Sequence, residues 1–239
     1  MTDRKWLSSL RHIFKIDPNR PLTDEQINSL SNSGTDAIVI GGTLGVTYDD
    51  TVNLLRKVRK NNITVILEIS DLDAIVPGFD YYFIPLVLNA QDPEWLLNPH
   101  HYALKKYGNI INWEQVFIEG YVILNGESSA AKLTNSKTDL SIEDVAAYGR
   151  MCDQMLKLPI LYIEYSGVFG IRELVKEVRE VVKYSRIFYG GGIKSVDNAL
   201  EMAKFADTVI VGNLIYEDFE LALTTVKGIN GTKEIKEFN

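Results

Sequence analysis

The chain has 239 residues, of which 46% are apolar, and a formal net charge of −7 at pH 7. At about 150 residues per domain, this length allows one large domain or two small ones. The apolar fraction excludes a disordered chain. The negative charge argues against a nucleic-acid-binding surface, although backbone N–H groups can still form a local anion site. The single cysteine, Cys152, excludes a disulfide framework and fits a reducing compartment.

The sequence contains no segment typical of a signal peptide or a membrane span. Residues 1–6 become charged almost at once and lack an apolar core. The longest apolar stretch, Tyr81 to Leu88, contains Pro85 and is far shorter than the ~20 residues that a spanning helix needs. We therefore expect a soluble, cytoplasmic protein, which is compatible with a lipid substrate.

The first half of the chain alternates short β-branched runs with longer amphipathic stretches. Predicted strands cover residues 12–17, 36–40, 63–69, 81–88 and 116–124. Predicted helices cover residues 23–34, 48–60 and 94–107. Thr23 and Gln26 form a capping-box pattern at the start of the first helix. Between the third and fourth strands, Pro77 and Gly78 predict a short or missing helix.

The second half continues the alternation. Predicted strands cover residues 159–165, 186–189 and 208–211, and predicted helices cover residues 141–156, 171–184, 195–205 and 216–227. Segment 125–140, which follows the fifth strand, is polar and rich in small residues. We expect it to be either a mobile loop that covers the substrate or a solvated insertion.

Eight strands, most of them followed by a helix, predict a parallel sheet, because a parallel connection needs a crossover. Several strands are almost entirely apolar, as expected when helices cover them. We predict an α/β fold, a (β/α)8 TIM barrel with a short or missing third helix, that forms a single domain over residues 1–239. A doubly wound open sheet is the alternative.

The strongest functional signal lies at the ends of the last two strands. Gly190, Gly191 and Gly192 follow the seventh strand, and Gly212-Asn213 follows the eighth. In TIM barrels these two loops often bind phosphate, since glycine lets the backbone approach the oxygens closely. We therefore predict a phosphate-bearing ligand; the alternative is that the glycines only allow tight turns.

Two charged residues alternate onto one face of the first strand. Lys15 and Asp17 lie opposite Phe14 and Ile16, which we expect to pack toward the helices. An inward lysine is costly unless it meets an anion, so Lys15 is a candidate phosphate ligand. Asp17 is a candidate ligand for a divalent cation, since Mg²⁺ prefers carboxylates, phosphates and water. The alternative is a structural ion pair between the two residues.

The sixth strand carries a candidate catalytic carboxylate. Tyr162 and Glu164 alternate onto the inner face, so Glu164 lies near the rim and can accept a hydroxyl proton. Ser166 and Gly167, which follow, can donate to phosphate. The alternative for Glu164 is an ion pair with a cation in the barrel such as Lys15.

Other candidates carry weaker signals. His12, His100 and His101 lack the spacing of metal ligands and are expected to be structural. Cys152 lies in a helical pattern without the context of a nucleophile. Two further cations, Arg172 and Lys194, are expected to face solvent. The absence of a phosphate-binding Walker loop and of a dinucleotide fingerprint argues against a nucleotide ligand.

Taken together, five motifs resemble the geranylgeranylglyceryl phosphate synthase family, and the whole chain is similar to its bacterial branch, the heptaprenylglyceryl phosphate synthases. They are Phe14-Lys15-Ile16-Asp17-Pro18, Gly41-Gly42-Thr43, Tyr162-Ile163-Glu164-Tyr165-Ser166-Gly167, Tyr189-Gly190-Gly191-Gly192-Ile193 and Val211-Gly212-Asn213. Their order is the order of the family, and the poor third helix also agrees with it.

The resemblance implies a prenyltransferase that joins sn-glycerol 1-phosphate to a long polyprenyl diphosphate and releases diphosphate. The residues implied to hold glycerol 1-phosphate are Lys15, Tyr162, Ile163, Glu164, Tyr165, Ser166, Gly167, Gly192, Gly212 and Asn213. Asp17 and Thr43 are implied to bind Mg²⁺, and Glu164, assisted by Lys15, is the expected catalytic group. The family also implies a homodimer and allows peripheral contact with the inner membrane surface.

The prenyl chain, expected to be C35 from the resemblance, needs a long apolar groove. Candidates for lining it are the aromatic residues Tyr81, Tyr82, Phe83, Trp95, Tyr102 and Tyr107. Two alternative functions remain at this point. One is another phosphate-binding barrel enzyme, such as a sugar-phosphate isomerase or epimerase, and the other is a non-catalytic protein that binds phospholipid precursors.

Overall fold

The computed structural model describes residues 4–237 and contains a closed barrel of eight parallel strands. The strands are β1 His12–Ile16, β2 Ala37–Ile40, β3 Val65–Glu68, β4 Tyr81–Val87, β5 Val116–Ile123, β6 Ile160–Glu164, β7 Arg186–Gly190 and β8 Thr208–Val211. Each strand pairs with its neighbours in sequence, and β1 pairs with β8, where Phe14 lies opposite Val211. The predicted TIM barrel is therefore confirmed, and the open sheet is wrong.

Helices surround the barrel, and each predicted helix has a counterpart among them. They are α1 Arg4–Ser9, α2 Asp24–Ser31, α3 Tyr48–Val58, α4 Asn98–Tyr107, α5 Ser129–Thr134, α6 Ile142–Arg150, α7 Arg172–Val181, α8 Val196–Met202, α9 Leu214–Glu217 and α10 Phe219–Glu237. The capping box at Thr23 is present, since its side chain accepts from the Gln26 N–H and the Gln26 side chain accepts from the Thr23 N–H. Between β3 and β4 only one 3₁₀ turn, Leu72–Ala74, forms, so the short third helix is confirmed.

Alternation along the strands divides the buried side chains into two layers. The outward residues Phe14 and Ile16 pack with the helix residues Ile27 and Leu30, as predicted. The inward residues form a second cluster inside the barrel, to which β5 contributes Phe117 and Tyr121 and β7 contributes Phe188. This inner cluster fills much of the barrel interior, and the inward residues Lys15, Glu68 and Glu164 lie near the carboxyl ends of their strands.

Helix α1, which no sequence pattern predicted, closes the amino-terminal end of the barrel. Its Trp6 ring stacks on Tyr81 with ring centroids 3.8 Å apart, and Leu7 joins the inner cluster. Phe83, which lies on the same face of β4 as Tyr81, is completely buried inside the barrel. Phe83 therefore belongs to the inner cluster and the partly buried Tyr81 packs against it, so neither candidate lies on the outer face of β4.

The side of the barrel around β4 is poorly covered. Without a full helix after β3, the outward residues Tyr82, Ile84 and Leu86 are only half-buried. Helix α4 buries none of its ten residues, and His100 Nε2 donates a hydrogen bond to the Pro85 carbonyl at 3.1 Å. The outward residues Tyr82, Ile84 and Leu86 therefore form a partly uncovered apolar surface on β4, here called the apolar trough.

Segment 125–140 is tied to the barrel. It contains α5, and the Asn89 side chain donates to the Lys137 carbonyl at 2.9 Å. Ala90 and Ser136 form an isolated β-bridge. None of the described residues of this segment lines the cavity at the barrel mouth, and its closure over a substrate stays a prediction.

Two residues with potential chemistry are structural, as expected. Both ring nitrogens of buried His12 are hydrogen-bonded, to Thr35 Oγ1 at 2.9 Å and to Thr225 Oγ1 at 3.0 Å. Burial lowers the pKa of His12 to about 3, so the ring is neutral at physiological pH. Burial likewise raises the pKa of the Cys152 thiol to about 12, which excludes a reactive thiolate.

Candidate active site

A cavity of about 160 Å³ opens at the carboxyl end of the barrel. Ten of the predicted site residues line it, and they come from the ends of five strands: Lys15, Asp17, Thr43, Tyr162, Glu164, Ser166, Gly167, Gly192, Gly212 and Asn213. Ile163 and Tyr165 instead face the helix layer and are buried there. Alternation along β6 explains the difference, because neighbouring residues of a strand face opposite sides.

The glycine-rich loop after β7 packs directly on the loop after β6. Gly192 has a φ of +55°, and a Cβ added there would lie 2.1 Å from the Phe169 nitrogen. The Tyr189 hydroxyl connects the same two loops, since it accepts from the Gly170 N–H and donates to the Gly191 carbonyl. Only glycine allows this backbone geometry, and the close packing holds the loop rigidly at the cavity wall.

Arg20 adds a cation at the rim between β1 and β8. Its guanidinium donates to Asn213 Oδ1 at 3.0 Å and lies 3.6 Å from the centroid of the Tyr216 ring. The Tyr216 hydroxyl in turn accepts from the Asp17 N–H at 3.0 Å. Lys194, which follows β7, is exposed and lines the same cavity. Together with the glycine backbone, these cations make the mouth suitable for an anion.

Lys15 forms an ion pair with Glu68. From the sequence, only Asp17 and Glu164 had been considered as partners. The Lys15 Nζ lies 2.6 Å from Glu68 Oε1 and 5.7 Å from the centroid of the Tyr162 ring. The predicted pairs of Lys15 with Asp17 or with Glu164 are therefore wrong. Burial by itself lowers the pKa of Lys15, but the carboxylates of Glu68 and Glu164 outweigh it and raise the pKa above its ordinary value.

Three hydrogen bonds hold the Glu164 carboxylate. Oε1 accepts from the Ser166 N–H at 2.6 Å and from its hydroxyl at 2.7 Å, and Oε2 accepts from the Tyr121 hydroxyl at 2.9 Å. The Tyr121 ring stacks on Tyr162, with centroids 4.4 Å apart. In this structure Ser166 therefore orients Glu164, whereas the sequence suggested that it donates to phosphate. Glu164 is 5% exposed and fixed at the cavity wall.

A third carboxyl lies among these groups. Glu119 is on the inner face of β5, completely buried, and neither of its oxygens has a hydrogen-bond partner among the described residues. Burial, reinforced by the charge of Glu68, holds the pKa of Glu119 well above its usual range. A raised pKa favours the protonated, neutral form of this carboxyl.

The predicted metal ligands fit a weak site for a divalent cation. Asp17 and Thr43 both line the cavity, and a Cβ at Gly42 would lie 2.7 Å from Asp17 Oδ1, so glycine leaves space beside this carboxylate. The described residues contain no group of three or more carboxylate, histidine or cysteine ligands. One carboxylate and a hydroxyl suit Mg²⁺, which commonly completes its coordination with substrate phosphates and water.

Sequence reasoning missed Arg20 and Glu68 as parts of the site, and it also missed the buried Glu119 near them. Glu68 ends β3 and Glu119 interrupts an otherwise apolar β5, and both features are visible in the sequence. A charged residue in such a strand is costly without a function or a partner, so this signal could have identified them. Arg172, by contrast, pairs with Glu173 and Glu201 on the surface, away from the cavity.

A model of the PcrB family matches residues 4–230. The chain belongs to this family. Heptaprenylglyceryl phosphate synthase from Anoxybacillus flavithermus is 51% identical over 225 residues, which cover 94% of this chain and 97% of that protein. The protein of the same name from Bacillus cereus is 48% identical, with 94% and 98% covered. These relatives confirm the family predicted from the motifs and the prediction of a prenyltransferase.

A solved structure has the same fold. The (S)-3-O-geranylgeranylglyceryl phosphate synthase from Thermoplasma acidophilum, in complex with its substrate sn-glycerol-1-phosphate, matches with a TM-score of 0.83. The match covers 96% of this chain and 98% of that chain at 18% identity. At this identity the likeness shows the fold, and it agrees with the closed barrel described above.

Proposed function

We propose that this PcrB-family chain, acting as a single barrel domain, joins sn-glycerol 1-phosphate to heptaprenyl diphosphate and forms heptaprenylglyceryl phosphate. The observation that carries this proposal is that one cavity combines a rigid glycine-rich wall with an oriented carboxylate, Glu164. The first feature suits a phosphate and the second suits the activation of a hydroxyl. The names of relatives about half identical to this chain support the same substrates.

Glycerol 1-phosphate would bind with its phosphate against the glycine loops and with its hydroxyl toward Glu164. Lys15, Gly192, Gly212 and Asn213 would hold the phosphate. In the reaction, the glycerol oxygen bonds to the first carbon of the prenyl chain as the bond from that carbon to diphosphate breaks. The diphosphate leaves with the bonding electrons, and the hydroxyl proton moves to the Glu164 carboxylate.

Asp17 and Thr43 would hold Mg²⁺ at the mouth of the cavity. When bound, the cation would neutralise charge on the diphosphate and make it a better leaving group. The residues of the chain bind and orient the two substrates, and Glu164, which is held by Ser166 and Tyr121, receives the proton. Because the wall after β6 and β7 is rigid, the hydroxyl is presented to Glu164 in a fixed position.

The apolar trough along β4 would bind the prenyl chain. Its half-buried residues Ile84 and Leu86 belong to a strand face that helices cover elsewhere in the barrel. Covering the exposed part of such side chains with a hydrocarbon chain contributes about 25 cal/mol for each Å² of apolar surface removed from water. Among the aromatic candidates, Tyr82 and Tyr107 are half-buried on this side, whereas Tyr102 is exposed on α4.

We further propose that the enzyme acts in the cytoplasm at the inner membrane surface, as a homodimer. In the described part of the chain, no helix is long and apolar enough to cross a membrane. Helix α4 and its flanks expose Leu97, Leu104 and Ile110, and the stretch 96–113 contains lysines but no acidic residue. In a chain of net charge −7, this local positive charge with apolar side chains suits an anionic lipid surface.

The decisive experiment incubates the protein with labelled glycerol 1-phosphate and a series of polyprenyl diphosphates. We expect Mg²⁺-dependent formation of the ether and release of diphosphate, most efficiently with the C35 substrate. Glu164→Gln should lower kcat by about 10²–10⁴ because the amide cannot take the proton. Saturable binding without diphosphate release would support a non-catalytic protein instead, and full activity of the variant or in excess EDTA would contradict the roles of Glu164 or Mg²⁺.

A further inference from the structure

Glu68 occupies a place in the active site that the proposed chemistry has not yet used. It ends β3, two strands from β1, and its Oε1 lies 2.6 Å from the Lys15 Nζ. The two side chains are 7% and 20% exposed, so the ion pair is largely removed from water. A partly buried ammonium needs an anion close by, and Glu68 supplies it before any substrate is bound.

Glu164 is the competing partner for the same ammonium. It lies at the same cavity, and its charge also raises the pKa of Lys15. The structure nevertheless directs Lys15 to Glu68, and the Glu164 oxygens accept from Ser166 and Tyr121 instead. Both arrangements would satisfy the lysine, but only the observed one leaves Glu164 without a cation on it.

We propose that Glu68 is a positioning residue that holds the Lys15 ammonium for the substrate phosphate and keeps it away from the Glu164 carboxylate. This inference rests on the proposed function, in which Lys15 binds phosphate and Glu164 accepts the hydroxyl proton. A lysine paired with Glu164 would stabilise the ionised carboxylate and weaken it as a base. The same movement would remove the cation from the phosphate, so a single misplaced ion pair would impair both substrate binding and proton transfer.

The backbone supports this position of Glu68. A Cβ added at Gly41, on the neighbouring strand end, would lie 3.0 Å from the Glu68 Cβ, so the glycine gives the glutamate room at this point. Glu119 is a poor substitute for Glu68, because no hydrogen bond joins it to Lys15 and its raised pKa favours the neutral form. The Lys15 ammonium therefore depends on Glu68 in the absence of substrate.

The test compares Glu68→Gln, which keeps the size and removes the charge, with Glu68→Asp, which keeps the charge. In Glu68→Gln we expect KM for glycerol 1-phosphate to rise about tenfold and kcat to fall about tenfold. The acid limb of the kcat–pH profile should also move to lower pH, because Lys15 then pairs with Glu164. In Glu68→Asp, KM, kcat and the acid limb should lie between those of Glu68→Gln and the wild type. A merely structural role of Glu68 would not move the acid limb.

Glu119→Gln is the matched control, because it replaces a neighbouring carboxyl that makes no bond to Lys15. The titratable groups that face Glu164 in this cluster are Lys15, Glu68, Glu119, Tyr121 and Tyr162. The control should leave the acid limb in place. Glu68→Gln with KM, kcat and acid limb all within twofold of wild type, or an equal shift in Glu119→Gln, would overturn the proposal.

A measurement without turnover separates this inference from the proposed function. The Glu164 carboxyl can be titrated by ¹³C NMR in the wild type and in both Glu68 variants, with its signal assigned through Glu164→Gln. We expect a lower Glu164 pKa in Glu68→Gln and an intermediate value in Glu68→Asp, which serves alone if the first variant does not fold. An unchanged titration overturns the positioning role, whereas a wild type that forms no ether refutes only the proposed function.

Discussion

The two sides of the barrel mouth are built in opposite ways. On the β6–β8 side, strands are fully buried over most of their length, and the Tyr189 hydroxyl joins the loops after β6 and β7. On the β4 side, Ile84 and Leu86 are half-buried, a single 3₁₀ turn replaces a helix, and α4 buries none of its residues. One side is rigid and polar at its rim, and the other is open and apolar.

This difference matches the two substrates of the proposed reaction. A phosphate is small and must be held at fixed distances, so a wall that does not move is an advantage. A prenyl chain has many conformations and no polar groups, so it needs apolar area more than exact geometry. Between β3 and β4 a single 3₁₀ turn takes the place of the helix of a regular barrel. This departure would provide the apolar area at the edge of an otherwise well-packed fold.

The rigid side should be the more sensitive of the two. Gly192→Ala would place a Cβ 2.1 Å from the Phe169 nitrogen at a φ of +55°, so the two loops must move apart. A displacement of about 1 Å can cost about 10²-fold in rate, and we expect a loss of at least this size in kcat/KM. Gly231→Ala, where a Cβ meets nothing within 4 Å, is the control. Equal activity of the two variants would show that the wall is not rigid.

Charge on α4 should matter for membranes and not for chemistry. Lys105 and Lys106 each contribute about 1 kcal/mol near an anionic surface, so reversing both charges should weaken binding to phosphatidylglycerol vesicles by about thirtyfold or more. Turnover of detergent-dispersed substrate should stay unchanged. Reversing Lys183 and Lys204, which are exposed elsewhere, is the control, and an equal loss in vesicle sedimentation would argue against an α4 surface.

A polar substitution in the apolar trough should affect the binding of the prenyl substrate alone. Ile84→Asn would put an amide on the outer face of β4, and we expect KM for heptaprenyl diphosphate to rise about tenfold through lost apolar contact. KM for glycerol 1-phosphate should not change, since the site proposed for that substrate lies across the mouth. Steady-state kinetics with each substrate varied measures both. An equal rise of the two KM values would contradict separate binding sites for the two substrates. Tyr184→Asn, before the start of β7, is the control for a polar substitution on the surface.

The smallest effect concerns stability. The pKa of Glu119 is raised in the folded state, so folding is favoured below the unfolded-state pKa and loses stability as the pH rises toward the folded value. Glu119→Gln removes this loss. Its Tm should equal that of the wild type near pH 4 and exceed it increasingly toward pH 8, by about 2–4 °C for each kcal/mol. A constant difference across this range, measured by calorimetry, would mean that folding does not raise the pKa of Glu119.

Most of the architecture could be predicted because it depends on local patterns. Residues 36–40 and 208–211 are short apolar runs between polar turns, and the structure contains a strand at each place. Helix α1 was missed because its residues 4–9 mix charged and polar side chains with few apolar ones. Trp6 reveals the function of this helix only through its contact with Tyr81, a residue distant in sequence.

The candidate site likewise combines features that the sequence predicts with a contact that only the tertiary structure determines. Strand periodicity, together with the rule that barrel sites lie at the carboxyl ends of the strands, predicts that Lys15, Glu164 and Gly192 lie at the mouth. Both rules can be applied to the sequence alone. The partner of Lys15 could not be read in this way. Glu68 is 53 residues away, and its contact depends on the stagger and closure of the barrel, which bring the ends of β1 and β3 together. The same closure leaves the outer face of β4 uncovered, since packing between distant elements decides which surfaces are buried.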